Sequence, residues 1–403
     1  PDTVQGSRLP AVGQLGEKRE DPRGLWRHAQ APRKQIGQAE TGIEDALRRA
    51  TRGELVAAPF ILLSTPASPA TLRKSAELYA KNEWPADTPA IGKVSRASGG
   101  RLRIGYFSAD FHNHAVAHLI VEMLERHDRA KFEIIGFSWG AAETTAARTR
   151  ITAAFDGFID VHTQADSAVT ALARSLEIDI AVDLQGFTNN ARTGIFAARC
   201  APIQVNYLGF PGTMGASYID YMIADSVVVP PEQRLHYSER IVYLPETYQA
   251  SDTKRAIVSE IPSRQALDLP DNGFVFCSFN NNFKITPSVF AIWMKLLQAV
   301  PGSVLWLLDG GPEAKANLRR EAAARGVATE RLVFAPRVPM AAHLARHAHA
   351  DLFLDTFHYN GHTTTNDALW MGVPVVTWAG ETFAGRVAAS LLRAVGLPEL
   401  VTT

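Results

Sequence analysis

Cysteine is nearly absent from this chain: Cys200 and Cys277 are the only two in 403 residues. Two thiols cannot build a disulfide framework or a zinc finger, and a reducing, cytoplasmic setting is the expectation. Neither sign of charge is in excess, with 41 Lys+Arg against 41 Asp+Glu. Zero net charge provides no general attraction to nucleic acid or to an anionic membrane, so any anion must be held locally. No apolar run reaches the roughly 18 residues of a membrane-crossing helix, and the polar N-terminus lacks the apolar stretch of a signal peptide. The first residue is Pro1 rather than Met, which reads as a processed chain or a fragment. No G-x-G-x-x-G follows a strand, which argues against a standard NAD site. No internal period of about 20–50 residues marks a solenoid.

What is present is alternation. Residues 1 to about 40 are rich in Pro, Gly, Gln and charge and read as flexible. Ile43 to about Asn82 has a helical pattern, and Trp84 to Gly100 reads as a linker. Strands are then expected at Leu102–Ser108, Phe132–Ser138, Ile178–Leu184, Ile203–Leu208, Tyr221–Ala224 and Ile241–Leu244, with helical segments such as Ser167–Leu176 between them. After a polar stretch, Thr247–Asn272, a second series follows at Phe274–Phe279, Val304–Leu308, Leu332–Ala335, Leu352–Asp355 and Val373–Thr377. Helices over Ser288–Val300, Ala314–Arg325 and Ala341–Ala348 fill its gaps. This is the pattern of α/β lobes, parallel sheets wrapped by helices. It divides the chain into a flexible and helical N-terminal part (residues 1–98), a first lobe (99–250) and a second lobe (251–403). Two doubly wound lobes place one site in the cleft between them, beyond the carboxyl ends of the strands.

Chemistry-bearing residues gather at these strand ends. Leu352–Asp355 leads into Tyr359-Asn360-Gly361-His362-Thr363-Thr364-Thr365-Asn366-Asp367 and then a helix-like Ala368-Leu369-Trp370-Met371. The first N–H groups of a helix lack partners and favour negative charge by about 0.3–1 kcal/mol. Gly361 admits close backbone approach, the threonine hydroxyls and His362 add donors, and Asp367 can accept from a ribose hydroxyl. The segment reads as a pyrophosphate seat without a P-loop, or as a threonine-capped helix start. In the first lobe, Asp110 is followed by His112, His114 and His118. His114 and His118 share a helix face, which suits a metal. The same cluster also suits acid–base or sugar-binding work, or a helix start capped by Asp110. Lys284 precedes a helix start at Thr286-Pro287, as a phosphate clamp or a surface lysine. Leu208-Gly209-Phe210-Pro211-Gly212-Thr213 is a glycine-dense loop after a strand. His343 and His347 recur four residues apart beside Arg346, as a zinc pair, a base-stacking surface or an exposed helix face.

These segments resemble the catalytic region of O-linked N-acetylglucosaminyltransferases, glycosyltransferase family 41, over roughly Ala58–Leu400. The blocks that carry the resemblance are Ala201-Pro202-Ile203-Gln204 with Leu208–Thr213, Val304–Leu308, Asn360–Thr364, and Gly380-Glu381-Thr382 with Arg386–Ser390. The resemblance implies a GT-B fold: two Rossmann-like parallel-sheet lobes with a preceding helical segment. It implies inverting, metal-independent transfer of N-acetylglucosamine from UDP-GlcNAc to Ser or Thr hydroxyls of proteins, with no cofactor beyond the donor. UDP-glucose or another UDP-sugar moved to Asn or a glycan is the alternative in the same class. A non-catalytic UDP-sugar-binding protein and a metallo-hydrolase are the alternatives outside it.

The residues implied at the donor are Leu208, Gly209, Pro211, Asn281, Lys284, the Val338 backbone, His343, Arg346, His362, Thr363, Thr364 and Asp367. Lys284 would neutralise the leaving UDP, Asp110 is the candidate general base, and His114 a sugar ligand or secondary base. Expected partners are a UDP-sugar and an acceptor protein, with no nucleic acid and no membrane. The chain departs from eukaryotic members by showing no complete tetratricopeptide repeat of about 34 residues. The short Thr247–Asn272 stretch points to a bacterial type, and the ending at Thr403 reads as a truncation.

Overall fold

Two parallel sheets organise the computed structural model, which describes residues 33–85, 100–140 and 143–402. Helices α1 (Arg33–Arg52), α2 (Pro59–Leu62) and α3 (Pro69–Glu83) come first. Most of the segment read as flexible, and residues 86–99 of the expected linker, lie outside the described residues. From Arg33 onward a helix replaces the expected flexible chain. Gly37, Gly42 and a shortage of apolar residues hide its periodicity in the sequence. The start of α3 is set locally: Ser68 Oγ accepts from the Thr71 N–H at 3.2 Å, and Pro69 occupies the first turn.

The first lobe alternates β1 (Leu102–Ser108), α4 (Ala115–Glu125), β2 (Phe132–Ser138), α5 (Ala146–Ala153), β3 (Gly157–Asp160), α6 (Asp166–Ser175), β4 (Ile180–Asp183), α7 (Gly194–Ala197), β5 (Ile203–Asn206), β6 (Tyr221–Asp225) and β7 (Arg240–Leu244). Its strand order is β3-β2-β1-β4-β5-β6-β7, with every pairing parallel. Helices cover both faces, so β1 and β2 end in uninterrupted buried runs rather than alternating ones. Strand β3 was not expected. Its four residues form an edge strand with only two apolar side chains, Phe158 and Ile159.

The second lobe comprises β8 (Val275–Ser278), α8 (Pro287–Ala299), β9 (Val304–Leu308), α9 (Pro312–Ala323), β10 (Leu332–Ala335), α10 (Met340–Arg346), β11 (Leu352–Leu354), α11 (Thr363–Trp370), β12 (Val375–Trp378), α12 (Val387–Ala394) and β13 (Val401–Thr402). The order is β10-β9-β8-β11-β12-β13, again all parallel. Strand β13, two residues long, is too short to read from periodicity. Both orders reverse at the first strand of the lobe, between β1 and β4 and between β8 and β11. Ligands of doubly wound sheets sit at that reversal.

The lobes share their apolar interiors. Phe383, Val387 and Leu391 of the second lobe pack among first-lobe residues such as Ile120, Val228 and Tyr248. Leu63 and Ala76 of the N-terminal helices join a cluster that also holds Phe107, Tyr359 and Ala384. Ser390 Oγ donates to Asp225 Oδ2 at 2.7 Å, and Arg386 Nε to the Val227 carbonyl at 2.6 Å.

A strap after β7 completes the connection. Its Asp252 pairs with Arg150 at 2.6 Å, and its Lys254 with Glu125 at 2.7 Å. Thr253 donates to Glu122 through both N–H and hydroxyl, at 2.6 and 2.8 Å. Arg255 then crosses to the second lobe. Among the described residues, no helix is long and apolar enough to cross a membrane.

Candidate active site

The turn between β11 and α11 is built by the acid that ends the strand. Asp355 is buried, and its Oδ1 accepts the N–H of Gly361 at 2.6 Å and of Thr356 at 2.8 Å. Its Oδ2 accepts Thr377 Oγ1 at 2.7 Å. Asn280, just past β8, donates to Thr356 Oγ1 at 3.0 Å and accepts Thr364 Oγ1 at 2.5 Å. A Cβ on Gly361 would stand 2.5 Å from Thr365 Oγ1 and 2.7 Å from Thr364 Oγ1, so a side chain there would force the threonines of the turn to shift. The result is a fixed helix N-terminus with half-buried Thr363 and Thr364 at its mouth. Thr365 Oγ1 and Asn360 Oδ1 are buried without a hydrogen-bond partner, which leaves polar capacity at this turn.

Lys284 lies beside this turn, on the short helical turn after β8. The side chain is buried; Nζ donates to the Asn360 carbonyl at 2.8 Å and stands 3.8 Å from the centre of the Tyr359 ring. Burial pushes its pKa down to about 7, with the charge of Asp355 opposing the shift. Burial lifts the Asp355 carboxyl to about 6, against its three short hydrogen bonds and Lys284. Lys284 is therefore a group whose charged form burial disfavours. His362 precedes the helix and its Nε2 lies 3.2 Å from the Ala384 carbonyl, which takes the ring proton. Burial, with Lys284 nearby, keeps its pKa well below the usual histidine range, so the ring is neutral.

Further along α11, Asp367 is buried, with Oδ1 at 2.7 Å from Arg255 Nη1 and Oδ2 at 3.7 Å from His343 Nε2. Burial raises its carboxyl to about 6, and Arg255 opposes this. His343 Nδ1 accepts from Arg346 Nη2, which places the ring proton on Nε2, toward Asp367. Burial and the Arg346 charge hold His343 neutral. Arg346 is itself buried, stacks over Phe279 and donates to the Pro336 carbonyl at 2.7 Å. It thus braces the loop that carries exposed Val338 and stands behind His343. Asn281 is exposed and accepts from Arg337 at 3.0 Å.

At the mouth of the first sheet, buried Gln185 accepts from Ser108 Oγ and the Ala109 N–H, both at 3.1 Å, and so fixes the chain leaving β1. Asp110 follows, half-buried, with its carboxylate 3.5 Å from His114 Nδ1 and 3.8 Å from His112 Nε2. His114 caps α4, accepting the Val116 N–H on Nδ1 at 3.3 Å. Burial lowers its pKa against the pull of Asp110. Gly209 presses on β4, where a Cβ would fall 2.0 Å from the Leu184 carbonyl. Leu208 takes φ 68° to turn the loop toward buried Pro211.

The histidine pairs do not converge on a common point. His118 Nε2 is 2.8 Å from Asn113 Oδ1, and His347 Nδ1 is 2.8 Å from the His343 carbonyl. Among the described residues no group of three His, Cys, Asp or Glu gathers to hold a metal. The strap passes close to the first-lobe mouth: burial lowers the pKa of His118, with Asp252 opposing and Arg255 adding to the shift. Sequence reasoning passed over Asn280, Gln185 and Arg255, and gave Asp355 no role. Asp355 and Gln185 had a signal, a polar residue closing a buried apolar run. Arg255 had none, being one cation in a polar stretch.

The sequence matches the family described as Glycosyl transferase family 41 over residues 88–261 and 249–403. A probable UDP-N-acetylglucosamine–peptide N-acetylglucosaminyltransferase, SEC, of Arabidopsis thaliana is 37% identical over 354 residues, covering 84% of this chain and 36% of that protein. The UDP-N-acetylglucosamine–peptide N-acetylglucosaminyltransferase of Caenorhabditis elegans is 30% identical, covering 78% of this chain and 37% of that one. The chain thus spans a little over a third of the length of these two relatives. Among solved structures, a mutant O-GlcNAc transferase of Thermobaculum terrenum superposes with a TM-score of 0.80 at 30% identity, covering 95% of this chain and 74% of that one. The two lobes form the GT-B arrangement that the alternation and the resemblance both predicted.

Proposed function

Because the chain belongs to glycosyl transferase family 41, we propose that it moves N-acetylglucosamine from its UDP donor to Ser or Thr hydroxyls of proteins, with inversion and without a metal ion. The observation that carries this reading is the second-lobe seat: a fixed helix N-terminus with Lys284 Nζ bound to the carbonyl of Asn360, immediately before Gly361.

Cleavage of the sugar–phosphate bond leaves charge on UDP. Fixed donors aimed at that charge lower the barrier without reorganising. The backbone N–H groups at the start of α11 and the Lys284 ammonium are those donors in this reading. A diphosphate next to Lys284 restores the protonation that burial disfavours, so the lysine gains its full charge when the donor binds. Neutral His362 orients the turn through Ala384, while the backbone supplies the hydrogen bonds. Asp367 of α11 and His343 of α10 face each other at 3.7 Å, suited to ribose and uracil. Attack with inversion needs a base on the opposite face. Asp110, a half-buried carboxylate at the first-lobe mouth, is assigned that proton, with neutral His114 beside it as a sugar contact.

The test is UDP release from UDP-N-acetylglucosamine with a Ser/Thr-rich peptide, in EDTA, beside Lys284→Ala. Release that needs the peptide, survives EDTA and is lost in the variant is expected. Release abolished by EDTA, or retained in the variant, overturns the assignment.

A further inference from the structure

We propose that Arg255 of the interlobe strap is a positioning residue for the donor's ribose: it occupies one oxygen of Asp367 and leaves the other as the ribose acceptor. This rests on the reading that Asp367 receives the ribose hydroxyls. Arg255 Nη1 donates to Asp367 Oδ1 at 2.7 Å, and Nη2 to Asn366 Oδ1 at 3.2 Å. Its Nε donates to the Asp252 carbonyl at 3.2 Å, and the guanidinium lies 4.6 Å above the Trp370 ring. Both side chains of the ion pair are almost fully buried, at 5% and 3% exposure. Such a pair has little freedom to choose another geometry.

The other oxygen is left differently. Asp367 Oδ2 accepts no hydrogen bond among the described residues, and His343 Nε2 stands 3.7 Å away, beyond hydrogen-bond range. A carboxylate locked at Oδ1 and open at Oδ2 presents one defined acceptor on the α11 edge. Without Arg255, burial would raise the Asp367 carboxyl further and favour its protonated form, a poorer acceptor. The groups facing Asp367 are Arg255 from the strap and His343 from α10. His343 is neutral, so Arg255 alone supplies charge.

Arg255 is also how the first lobe reaches this site. Its neighbour Asp252 is clamped by Arg150, and Thr253 by Glu122, both on first-lobe helices. The ribose seat therefore draws on both lobes.

The experiment compares UDP with 2′,3′-dideoxy-UDP by calorimetry on the full chain, across pH, for the parent, Arg255→Met, Arg255→Lys and Asp367→Asn. Loss of one charge-assisted hydrogen-bonding partner predicts that Arg255→Met weakens UDP by about tenfold or more and leaves dideoxy-UDP nearly unchanged. The UDP preference then falls to that of Asp367→Asn. In Arg255→Met the acid loss of UDP affinity moves to higher pH, and lysine restores part of the preference. Equal weakening of both nucleotides, or a retained preference in Arg255→Met alone, overturns this inference. If Arg255→Met does not fold, an unaltered preference and pH profile in Arg255→Lys overturns it. A retained preference in Asp367→Asn overturns the ribose assignment itself, and this inference with it.

Discussion

Replacing Lys284 by methionine separates the chemistry of the site from its stability. Methionine has nearly the length of the lysine stem, so packing against Tyr359 is kept. The ammonium is buried with a carbonyl as its hydrogen-bond partner and an aromatic face 3.8 Å away. With UDP bound, the ammonium and the diphosphate would form a desolvated charge pair, and removing one member of such a pair costs about 2–5 kcal/mol. At about 1.36 kcal/mol per decade this is roughly a 30- to 5,000-fold fall in turnover.

Stability should move the other way. The folded pKa of Lys284 is lowered to about 7 from 10.5. The unfolded chain therefore binds the proton more tightly, and the penalty on the folded state is full below pH 7 and fades as pH rises to 10.5. Lys284→Met should thus be at least as stable as the parent at pH 6, with any advantage narrowing toward pH 10. The assays are UDP release at saturating donor and thermal unfolding at both pH values. Turnover within a few-fold of the parent, in a variant that melts normally, would refute the leaving-group argument. A large drop in melting temperature at pH 6 would refute the picture of a strained cation.

Other substitutions probe separate links. Asp110→Asn should lower turnover by about 100-fold or more, the usual scale of general-base catalysis, with UDP affinity from calorimetry unchanged. Gly361→Ala places a Cβ 2.5 Å from Thr365 Oγ1, so UDP affinity should fall while the two sheets, followed by far-UV circular dichroism, persist. Glu125 is held down to about 2 by Arg150 and Lys254, so its ion pairs stabilise the fold above pH 4.5 and are lost as pH falls toward 2. Glu125→Gln should therefore melt earlier than the parent at pH 6, and the two curves should draw together as pH falls toward and below about 2.

The sequence was most legible where helices cover both faces of a sheet. Strands β9 and β10 are continuous apolar runs, β1 and β2 are mostly apolar with one charged residue each, and the expected limits of all four match the structure. Strands β3 and β13 are edge strands of four and two residues, too short for any period to register. The turn before α11 was visible because Gly361, His362 and the threonines are adjacent in sequence. Its supports were not, because Asn280 and Asp355 meet across 75 residues, and spacing holds no record of that encounter. Arg346 read as a cleft cation, but the fold places it under His343, where its guanidinium fixes a tautomer. A single positive charge in a polar stretch, as at Arg255, does not reveal its destination.

Helix α12 follows the second sheet in chain order, yet Val387 and Leu391 lie in the first lobe's apolar interior and Ser390 bonds Asp225. The halves are consequently not independent modules. Swinging them wide apart would drag two aliphatic side chains into water at about 1.5–3 kcal/mol each. Relative motion of the halves should therefore favour small sliding displacements over wide opening. Heat should melt both sheets in one transition, and slow amide exchange should extend across the junction. A chimera that grafts residues 275–402 onto another first lobe would leave a greasy socket empty unless the surroundings of Asp225 travelled with it.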